Sequence, residues 1–309
     1  MNIIKPKFWD KKQISFFSVI LFPIAILIKF LSFLKRRLVN SNQFSIPIIC
    51  VGNIYLGGTG KTPLCIEIYS ILKELNFRPA FIRKKYESFK DEVNLQEQTG
   101  RVYESKKRSI AIKNAIQNNS NIAILDDGFQ DFSIKKNFSI VCFNEKQWIG
   151  NGLTIPSGPL RENISALKRA NCVIINGKKN TDIEKEIIKE NKKIKIFYTK
   201  YRPENIDKYK SKKVIAFAGI GNPINFFNLL KENNIDIIEE IEYPDHHIFS
   251  NKEIENLVNK SKNTGATLLT TEKDQYRINQ AYKKFIDYIK IKVEIENHKE
   301  FVNEIKKII

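Results

Sequence analysis

Residues 51–63 read VGNIYLGGTGKTP, and this stretch decides how the rest of the chain is interpreted. Ile46 to Val51, which leads into it, has the pattern of a buried β-strand, and Leu64 to Leu75 has the apolar spacing of a helix. Glycines between a strand and a helix let backbone N–H groups approach phosphate oxygens. The segment is therefore predicted to be the phosphate-binding loop of a nucleoside triphosphate site.

The loop supplies the groups that such a site needs. Lys61 is placed to reach the β- and γ-phosphates, and the Thr62 hydroxyl to ligate Mg²⁺. The usual pattern, G-x-x-x-x-G-K-[ST], has glycine where Tyr55 stands, so the loop is a variant; the alternative is a Gly-rich turn that only joins strand to helix. The candidate nucleotide-binding residues are Gly57, Gly58, Thr59, Gly60, Lys61 and Thr62.

Paired carboxylates follow another apolar segment. Ile122 to Leu125 is predicted to be a strand, and it ends in Asp126-Asp127. On an adjacent strand these carboxylates would lie beside Thr62 at the carboxyl edge of the sheet, as a Mg²⁺-nucleotide site requires. An Asp-Asp-Gly turn without metal is the alternative. Thr62, Asp126 and Asp127 are thus the predicted metal ligands.

Phosphoryl transfer also needs a group near the attacking hydroxyl, and position alone does not choose one. The candidates are Asp91 and the run Asp245-His246-His247, because a carboxylate next to a histidine makes a competent base. Taken by itself, Asp91 has the pattern of an exposed helix N-cap.

The N-terminus carries a second signal. Ile14 to Ile28 is almost wholly apolar, is interrupted by Pro23, and is followed by the basic run Lys35-Arg36-Arg37. The stretch is short for a transmembrane span, which takes about 20 apolar residues, so an interfacial membrane anchor is favoured. A buried core helix and a true transmembrane span are the alternatives.

Composition limits the class of protein. A chain of 309 residues with 42% hydrophobic content can fold as one large or two smaller α/β domains. The net charge of +18 would suit nucleic acid or an anionic membrane, but no Arg-rich or aromatic-interleaved patch supports nucleic acid. The four cysteines lack C-x-x-C spacing, so reduced core thiols are expected and a zinc site is not.

Apolar strands alternate with helical segments along the chain. This pattern predicts an α/β fold of the P-loop NTPase type, with a mostly parallel sheet covered by helices on both faces. From Lys213 the pattern starts again, which predicts a second, smaller α/β half. The expected domains are an N-terminal membrane-interface helix (1–40), a P-loop kinase core (41–205) and the smaller domain (206–309).

Several ordered motifs resemble the tetraacyldisaccharide 4′-kinase family, the lipid A 4′-kinases of Gram-negative bacteria. The resemblance covers nearly the whole chain, and the family's loop also lacks the first glycine. Besides residues 51–63, it rests on DDGFQ (126–130), GNG (150–152), PSGPLRE (156–162), AGIGNP (218–223), PDHH (244–247) and TEKD (271–274).

The resemblance implies a reaction and a location. The γ-phosphate of ATP, with Mg²⁺, would move to the 4′-hydroxyl of a tetraacylated glucosamine disaccharide 1-phosphate, giving lipid IVA in lipid A biosynthesis. Because this acceptor stays in the bilayer, the enzyme is expected on the cytoplasmic face of the inner membrane, as a peripheral or monotopic monomer without a nucleic-acid partner.

It also implies roles for individual residues. Asp91 is the implied base with His246 as its partner, and Lys61 stabilises the transferred phosphate. Arg161 and Glu162 belong to a loop that closes on nucleotide or acceptor. Which of Asp91 and His246 takes the proton stays open.

The chain departs from the family in the region before the proposed base. Arg83-Lys84-Lys85-Tyr86 stands for Ser-Arg-Gly-Tyr, so either Arg83 or Lys84 replaces the family's arginine. Lys90 and Val93 replace a glycine and a proline around Asp91.

The rival interpretation is a P-loop switch or transport ATPase without a lipid acceptor. The TEKD motif does not support a GTPase, because its lysine directly precedes the aspartate and the guanine-recognition spacing is absent.

Overall fold

The computed structural model describes residues 6–86 and 90–308, which form two compact units. Among these residues, the larger unit comprises 6–85, 99–200 and 294–308, and the smaller unit comprises 86, 90–98 and 201–293. Compared with the domains expected from the sequence, residues 90–98 are grouped with the second half of the chain and residues 294–308 with the first. The expected domain ranges stay a prediction.

Strands and helices alternate through most of the chain. The strands are β1 (Ile48–Gly52), β2 (Pro79–Lys84), β3 (Val102–Ser105), β4 (Ile122–Asp126), β5 (Phe138–Asn144), β6 (Cys172–Asn176), β7 (Lys195–Pro203), β8 (Lys213–Ala218), β9 (Asp236–Glu242), β10 (Thr267–Thr271), β11 (Ile286–Ile289) and β12 (Ile291–Ile295). The helices are α1 (Phe16–Leu38), α2 (Lys61–Glu74), α3 (Lys90–Glu97), α4 (Arg108–Gln117), α5 (Thr181–Glu190), α6 (Pro223–Glu232), α7 (Asn251–Thr264), α8 (Glu272–Arg277) and α9 (His298–Lys306).

The larger unit is built on a sheet with the strand order β12-β7-β6-β5-β1-β4-β2-β3. Neighbouring strands from β7 to β3 run parallel. The carboxyl ends of β1, β4 and β2 therefore meet at one edge of the sheet, and Val51 is aligned with Asp126 there. This register brings the phosphate loop and the Asp126-Asp127 pair to the same edge, as the sequence predicted.

Helices cover both faces of this sheet. Side chains alternate across a strand, and Ile48 and Cys50 of β1 pack in one apolar cluster with residues of α4 and α5. The ring of Phe81 points to the opposite face, where it stacks on Tyr69 of α2 with ring centroids 4.6 Å apart. The predicted P-loop NTPase-like α/β fold is thereby confirmed. The four cysteines are buried and free, as expected.

Helix α1 runs without a break through Pro23, the residue that interrupts its apolar sequence. Proline removes one backbone donor, but the remaining hydrogen bonds, and a cap in which Ser15 Oγ accepts from the Ser18 N–H at 3.2 Å, carry the helix through 23 residues. By length and composition α1 could cross a membrane.

The exposed surface of α1 excludes the alternative that this segment is a buried core helix. Its buried side chains are those of Ser18 and Ala25, seven residues apart on one strip of the helix. The other apolar side chains are largely open to solvent, including Phe16 at 75% and Leu31 at 56% exposure. The helix is therefore not a buried core helix.

The smaller unit repeats the α/β arrangement. Its sheet has the order β11-β10-β8-β9, and all the pairs are parallel. Val214, Ala216 and Ala218 of β8 pack with α6, while Ile215 and Phe217 pack with α7. Because successive strand residues point to opposite faces, α6 and α7 cover the two faces of this sheet.

Candidate active site

The phosphate loop has the backbone that its glycines predict. Gly57 has φ +138° and Gly60 has φ +85°, conformations that favour glycine, and Gly60 directly precedes α2. The buried amide of Asn53 donates from Nδ2 to Thr59 Oγ1 at 3.0 Å and to the Gly57 carbonyl at 3.3 Å. The loop is thus fixed from inside, with backbone N–H groups at the start of α2 available to phosphate oxygens.

Tyr55, the departure from the usual loop pattern, has a structural role. Its side chain is fully buried, and its hydroxyl donates to Asp10 near the N-terminus. Its backbone forms an antiparallel bridge with Leu160, flanked by bonds from Leu56 N to the Pro159 carbonyl (2.8 Å) and from Arg161 N to the Ile54 carbonyl (2.7 Å). The PSGPLRE segment is therefore held against the phosphate loop by backbone hydrogen bonds.

Asp126 lies beside Thr62, as predicted for a Mg²⁺ site. Thr62 Oγ1 donates to Asp126 Oδ2 at 3.2 Å, and Arg83 Nη1 forms an ion pair with the same oxygen at 2.5 Å. Both charged side chains are buried, at 7% exposure for Arg83 and 1% for Asp126. Lys84, the next residue, points outward on the strand and is exposed. Of the two candidates to replace the family's arginine, Arg83 contacts the acid.

Asp127 directly follows β4 in a left-handed backbone conformation with φ +55°. Its carboxylate accepts from Arg161 Nη1 at 2.9 and 3.0 Å and lies 3.7 Å from Lys61 Nζ. Burial alone would raise the pKa of Asp127, but the charges of Lys61 and Arg161 outweigh it and lower the pKa to about 2. Asp127 is therefore ionised throughout the physiological range.

Arg108 is a member of the site that the sequence analysis did not select. Its Nη2 donates to the backbone carbonyls of Asp127 (2.8 Å) and Asp126 (3.4 Å), and its Nη1 pairs with Asp131 at 3.1 Å. It thus fixes the backbone from which both carboxylates project. Its position as the first residue of α4 gave no sequence signal, because a surface helix often begins with charged residues.

Glu162 is not placed with the phosphate-binding groups. Its carboxylate accepts from Arg36 Nη2 of α1 at 2.6 Å and from Arg169 Nη2 at 2.5 Å. Adjacent residues of one segment thus point in different directions: Arg161 toward Asp127, and Glu162 toward the C-terminal end of α1.

The smaller unit contains the second group of predicted residues. Asp91 lies in α3 with its side chain 1% exposed, so the interpretation of an exposed N-cap is wrong. Its Oδ2 lies 3.4 Å from His246 Nδ1, 3.4 Å from Arg277 Nε and 4.0 Å from Lys273 Nζ. Burial would raise the pKa of Asp91, yet His246 and the two cations outweigh it and hold the pKa below its usual value of 3.8.

The TEKD motif organises this cluster. Asp274 is fully buried and accepts from the Gly219 N–H at 3.1 Å and from Thr271 Oγ1 at 2.6 Å. Arg277 bonds the Gly219 carbonyl at 2.9 Å, and the His246 N–H bonds the same carbonyl at 3.0 Å. Gly219 thereby links the TEKD motif to the segment that presents His246.

Lys273 and Arg277 were not predicted as site residues. Their spacing of four residues on α8 places them on one helix face, which was the available signal. Lys273 also pairs with Glu92 at 2.7 Å, so the neighbouring acids Asp91 and Glu92 of α3 share this lysine.

The fold and the larger unit's site define the class of protein. A glycine loop that caps a helix, followed by Lys-Thr and faced by a strand-end aspartate on a parallel sheet, is the arrangement of P-loop nucleoside triphosphate enzymes.

Comparison with known proteins then identifies the family. The family model described as tetraacyldisaccharide-1-P 4′-kinase matches residues 17–309, and the chain belongs to this family. It is 42% identical to the tetraacyldisaccharide 4′-kinase of Pelagibacter ubique, covering 100% of this chain and 99% of that protein. The enzyme of the same name from Rickettsia akari is 30% identical, covering 98% and 97%.

A solved structure supports the fold. The crystal structure of LpxK from Aquifex aeolicus in complex with ATP superposes with a TM-score of 0.71 at 21% identity, covering 94% of this chain and 99% of that one. The resemblance noted from the motifs is thereby confirmed as family membership.

The Arg83–Asp126 ion pair predicts different effects on stability for substitutions of the neighbouring cations Arg83 and Lys84. Arg83→Met removes the guanidinium that balances the charge of the buried Asp126 carboxylate and is expected to lower stability by about 3–5 kcal/mol, while Lys84→Met changes it by no more than about 0.5 kcal/mol. Urea unfolding of both variants measures this. Equal effects at the two positions would contradict the assignment of the buried pair.

Asp127 generates a prediction about pH. Because its pKa is lowered from 3.8 to about 2 in the folded chain, its ion pairs stabilise the fold at pH values above the unfolded pKa, and this contribution disappears as the pH falls through about 2. Asp127→Asn should lower stability at pH 7 by about 1 kcal/mol, a value reduced for solvent screening because the side chain is 37% exposed.

The measurement is the urea midpoint of native and variant chains at pH 7, 3 and 2. Asp182→Asn is the control, because the Asp182 side chain is 84% exposed and pairs across the surface of α5 with Lys185. A stability difference for Asp127→Asn that does not shrink toward pH 2 would show that its ion pairs contribute nothing.

Proposed function

We propose that this chain is an ATP-dependent lipid kinase that transfers the γ-phosphoryl group of ATP to the 4′-hydroxyl of a tetraacyldisaccharide 1-phosphate, giving lipid IVA. The observation that carries the proposal is the hydrogen bond between Thr62 and Asp126 at the end of the variant phosphate loop, with Lys61 and Asp127 beside it. Family membership supports the identity of the acceptor.

The residues of the loop fit ATP with Mg²⁺. Thr62 and Asp126 offer a hydroxyl and a carboxylate, the hard oxygen donors that Mg²⁺ prefers, and Asp127 is the second carboxylate at that edge. Mg²⁺ takes only one or two carboxylates besides phosphates and water, so this small donor set suffices. When bound, the ion would neutralise charge on the phosphate oxygens.

The chain's own groups would stabilise the transferred phosphate. Lys61, in the first turn of α2, and the N–H groups of the loop place positive charge where negative charge develops on the β- and γ-oxygens. Arg161 is the second cation at Asp127 and is suited to the same phosphates, because its planar guanidinium can form two parallel hydrogen bonds. Glu162 is not included among the nucleotide-binding residues of this proposal.

Asp91 is assigned as the proton acceptor. Its lowered pKa keeps the carboxylate ionised, which is the form that accepts a proton, and the contacts of His246 and Arg277 hold its orientation. A carboxylate of low basicity suffices, because the loose transition state of phosphoryl transfer demands little activation of the nucleophile. His246 acts as a positioning and relay partner.

Helix α1 supports a place at the membrane. Ser18 Oγ bonds Asn151 Nδ2 at 3.1 Å near one end of α1, and Arg36 pairs with Glu162 near the other, so both ends are tied to the larger unit. A helix held at both ends favours insertion parallel to the surface over a span, with its exposed apolar side chains in the lipid. The proposal places a monomeric enzyme on the cytoplasmic face of the inner membrane, with no nucleic-acid partner.

Transfer of labelled γ-phosphate from ATP to the tetraacyldisaccharide 1-phosphate in mixed micelles tests the proposal. Lys61→Ala and Asp91→Asn are each expected to lower kcat by at least about 100-fold while circular dichroism stays unchanged. Asp236→Asn, at an exposed acid that begins β9 in the smaller unit, is the control and should retain native activity.

Two results would count against the proposal. ATP hydrolysis without a phosphorylated lipid would favour the ATPase alternative. Near-native transfer by Asp91→Asn would remove that carboxylate from the mechanism and direct attention to His246.

A further inference from the structure

The larger unit contains a second cationic site that the proposed mechanism does not use. A cavity of about 360 Å³ lies at the C-terminal end of α1, a volume within the range of small-molecule sites. Its walls include Arg36 of α1, Lys136, Arg169 and the rings of Phe129 and Phe132. We call this cavity the α1 pocket.

The three cations of the α1 pocket converge on one aromatic ring. The guanidinium carbons of Arg36 and Arg169 lie 4.2 and 4.9 Å from the ring centre of Phe132, and Lys136 Nζ lies 5.5 Å from it. Arg169 also lies 4.3 Å from the ring centre of Phe129. Cation–π contacts hold these side chains in place without neutralising their charge.

The carboxylates nearby do not balance this charge. Glu162 is shared between Arg36 and Arg169, and Lys136 Nζ donates to the backbone carbonyls of Phe129 (3.3 Å) and Asp131 (2.5 Å). The Asp131 carboxylate itself pairs with Arg108. Three cations therefore face one shared carboxylate, and burial lowers the pKa of both Lys136 and Arg169. An anion in the pocket would relieve this excess of positive charge.

The position of the pocket indicates where the anion comes from. The last turn of α1 carries Lys35, Arg36 and Arg37, and the preceding turns expose apolar side chains such as Phe30 (55%) and Leu31 (56%). With those side chains in lipid, the basic end of α1 lies at the level of the headgroups.

We propose that the α1 pocket binds a phosphate group carried by a membrane lipid. Arginine matches phosphate through paired N–H donors, and lysine adds a point charge. The phosphate belongs either to an anionic phospholipid of the bilayer or to the 1-phosphate of the acceptor. The second source rests on the proposed function, and the first does not.

The phospholipid arm of the test measures binding alone. Native mass spectrometry of the full chain in neutral detergent, titrated with dioleoyl phosphatidylglycerol, gives the apparent Kd of the first bound lipid, and dioleoylglycerol serves as the probe without phosphate. If the phospholipid is the source, Arg36→Gln, Lys136→Gln and Arg169→Gln each weaken phosphatidylglycerol binding about tenfold or more.

Neighbouring cations outside the pocket provide matched controls. Lys135→Gln and Lys168→Gln remove the same charge from exposed side chains next to Lys136 and Arg169. Arg36→Gln is the pocket variant expected to keep the native fold, because the Arg36 side chain is 40% exposed at a helix end. Thermal unfolding of every variant is recorded to check that it folds.

The acceptor arm measures steady-state transfer in neutral detergent micelles. If the acceptor's 1-phosphate is the source, the pocket variants raise KM for the acceptor about tenfold while kcat and KM for ATP stay native. An effect in either arm that the controls lack supports the proposal and identifies the source.

Pocket variants that behave like Lys135→Gln and Lys168→Gln in both arms would overturn the proposal, as would a change confined to KM for ATP. A native chain that phosphorylates no lipid would refute the proposed function only, because the phospholipid arm needs neither ATP nor acceptor.

Discussion

The buried contact of Asp126 with Arg83 and Thr62 is the interaction on which the rest of the larger unit's site depends. It joins three neighbouring segments at one edge of the sheet: the end of β2, the end of β4 and the start of α2. A carboxylate at 1% exposure is stable only with a partner, so the guanidinium of Arg83 has to be buried with it. The contact positions the Thr62 hydroxyl and thereby the first turn of α2, where the phosphates are proposed to bind.

The PSGPLRE segment connects this edge with helix α1. Its backbone pairs with the phosphate loop at Tyr55, Arg161 contacts Asp127, and Glu162 contacts Arg36 of α1. A single short segment thus touches the nucleotide-binding edge through one residue and the α1 pocket through the next. Under the proposed function, this segment would link the groups that bind the phosphate donor to the helix that faces the lipid.

The parts of the site that are local in sequence could be predicted from it. The glycines, Lys61 and Thr62 are consecutive, and the rule that parallel strands end at one edge places Asp126 beside them. The choice between Arg83 and Lys84 could not be made, because it depends on which residue of β2 faces the neighbouring acid. Glu162 was expected with the nucleotide or acceptor, whereas it pairs with the nearby Arg169 and with Arg36 of α1, a contact distant in sequence that no local pattern reveals.

Burial was the other property that the sequence did not disclose. Asp91 lies among charged neighbours and resembled a surface residue, yet α3 packs on α8, whose Lys273 and Arg277 make a buried carboxylate tolerable. Pro23 interrupts the apolar sequence of α1, but the helix continues, because a helix capped by Ser15 and long enough on both sides of the proline tolerates one missing hydrogen bond. Tertiary context thus determined the burial of Asp91, whereas the cap and the length of the helix determined the continuity of α1.

The central claim is that Thr62 and Asp126 hold the Mg²⁺ of a nucleotide bound at the phosphate loop. It is tested most directly by the dissociation constant of ATP, measured by equilibrium titration with Mg²⁺ and with EDTA, for the native chain and for Asp126→Asn. Mg²⁺ should tighten ATP binding to the native chain by at least about tenfold, and most of this gain should be lost in the variant. An equal effect of Mg²⁺ on both chains would contradict the claim.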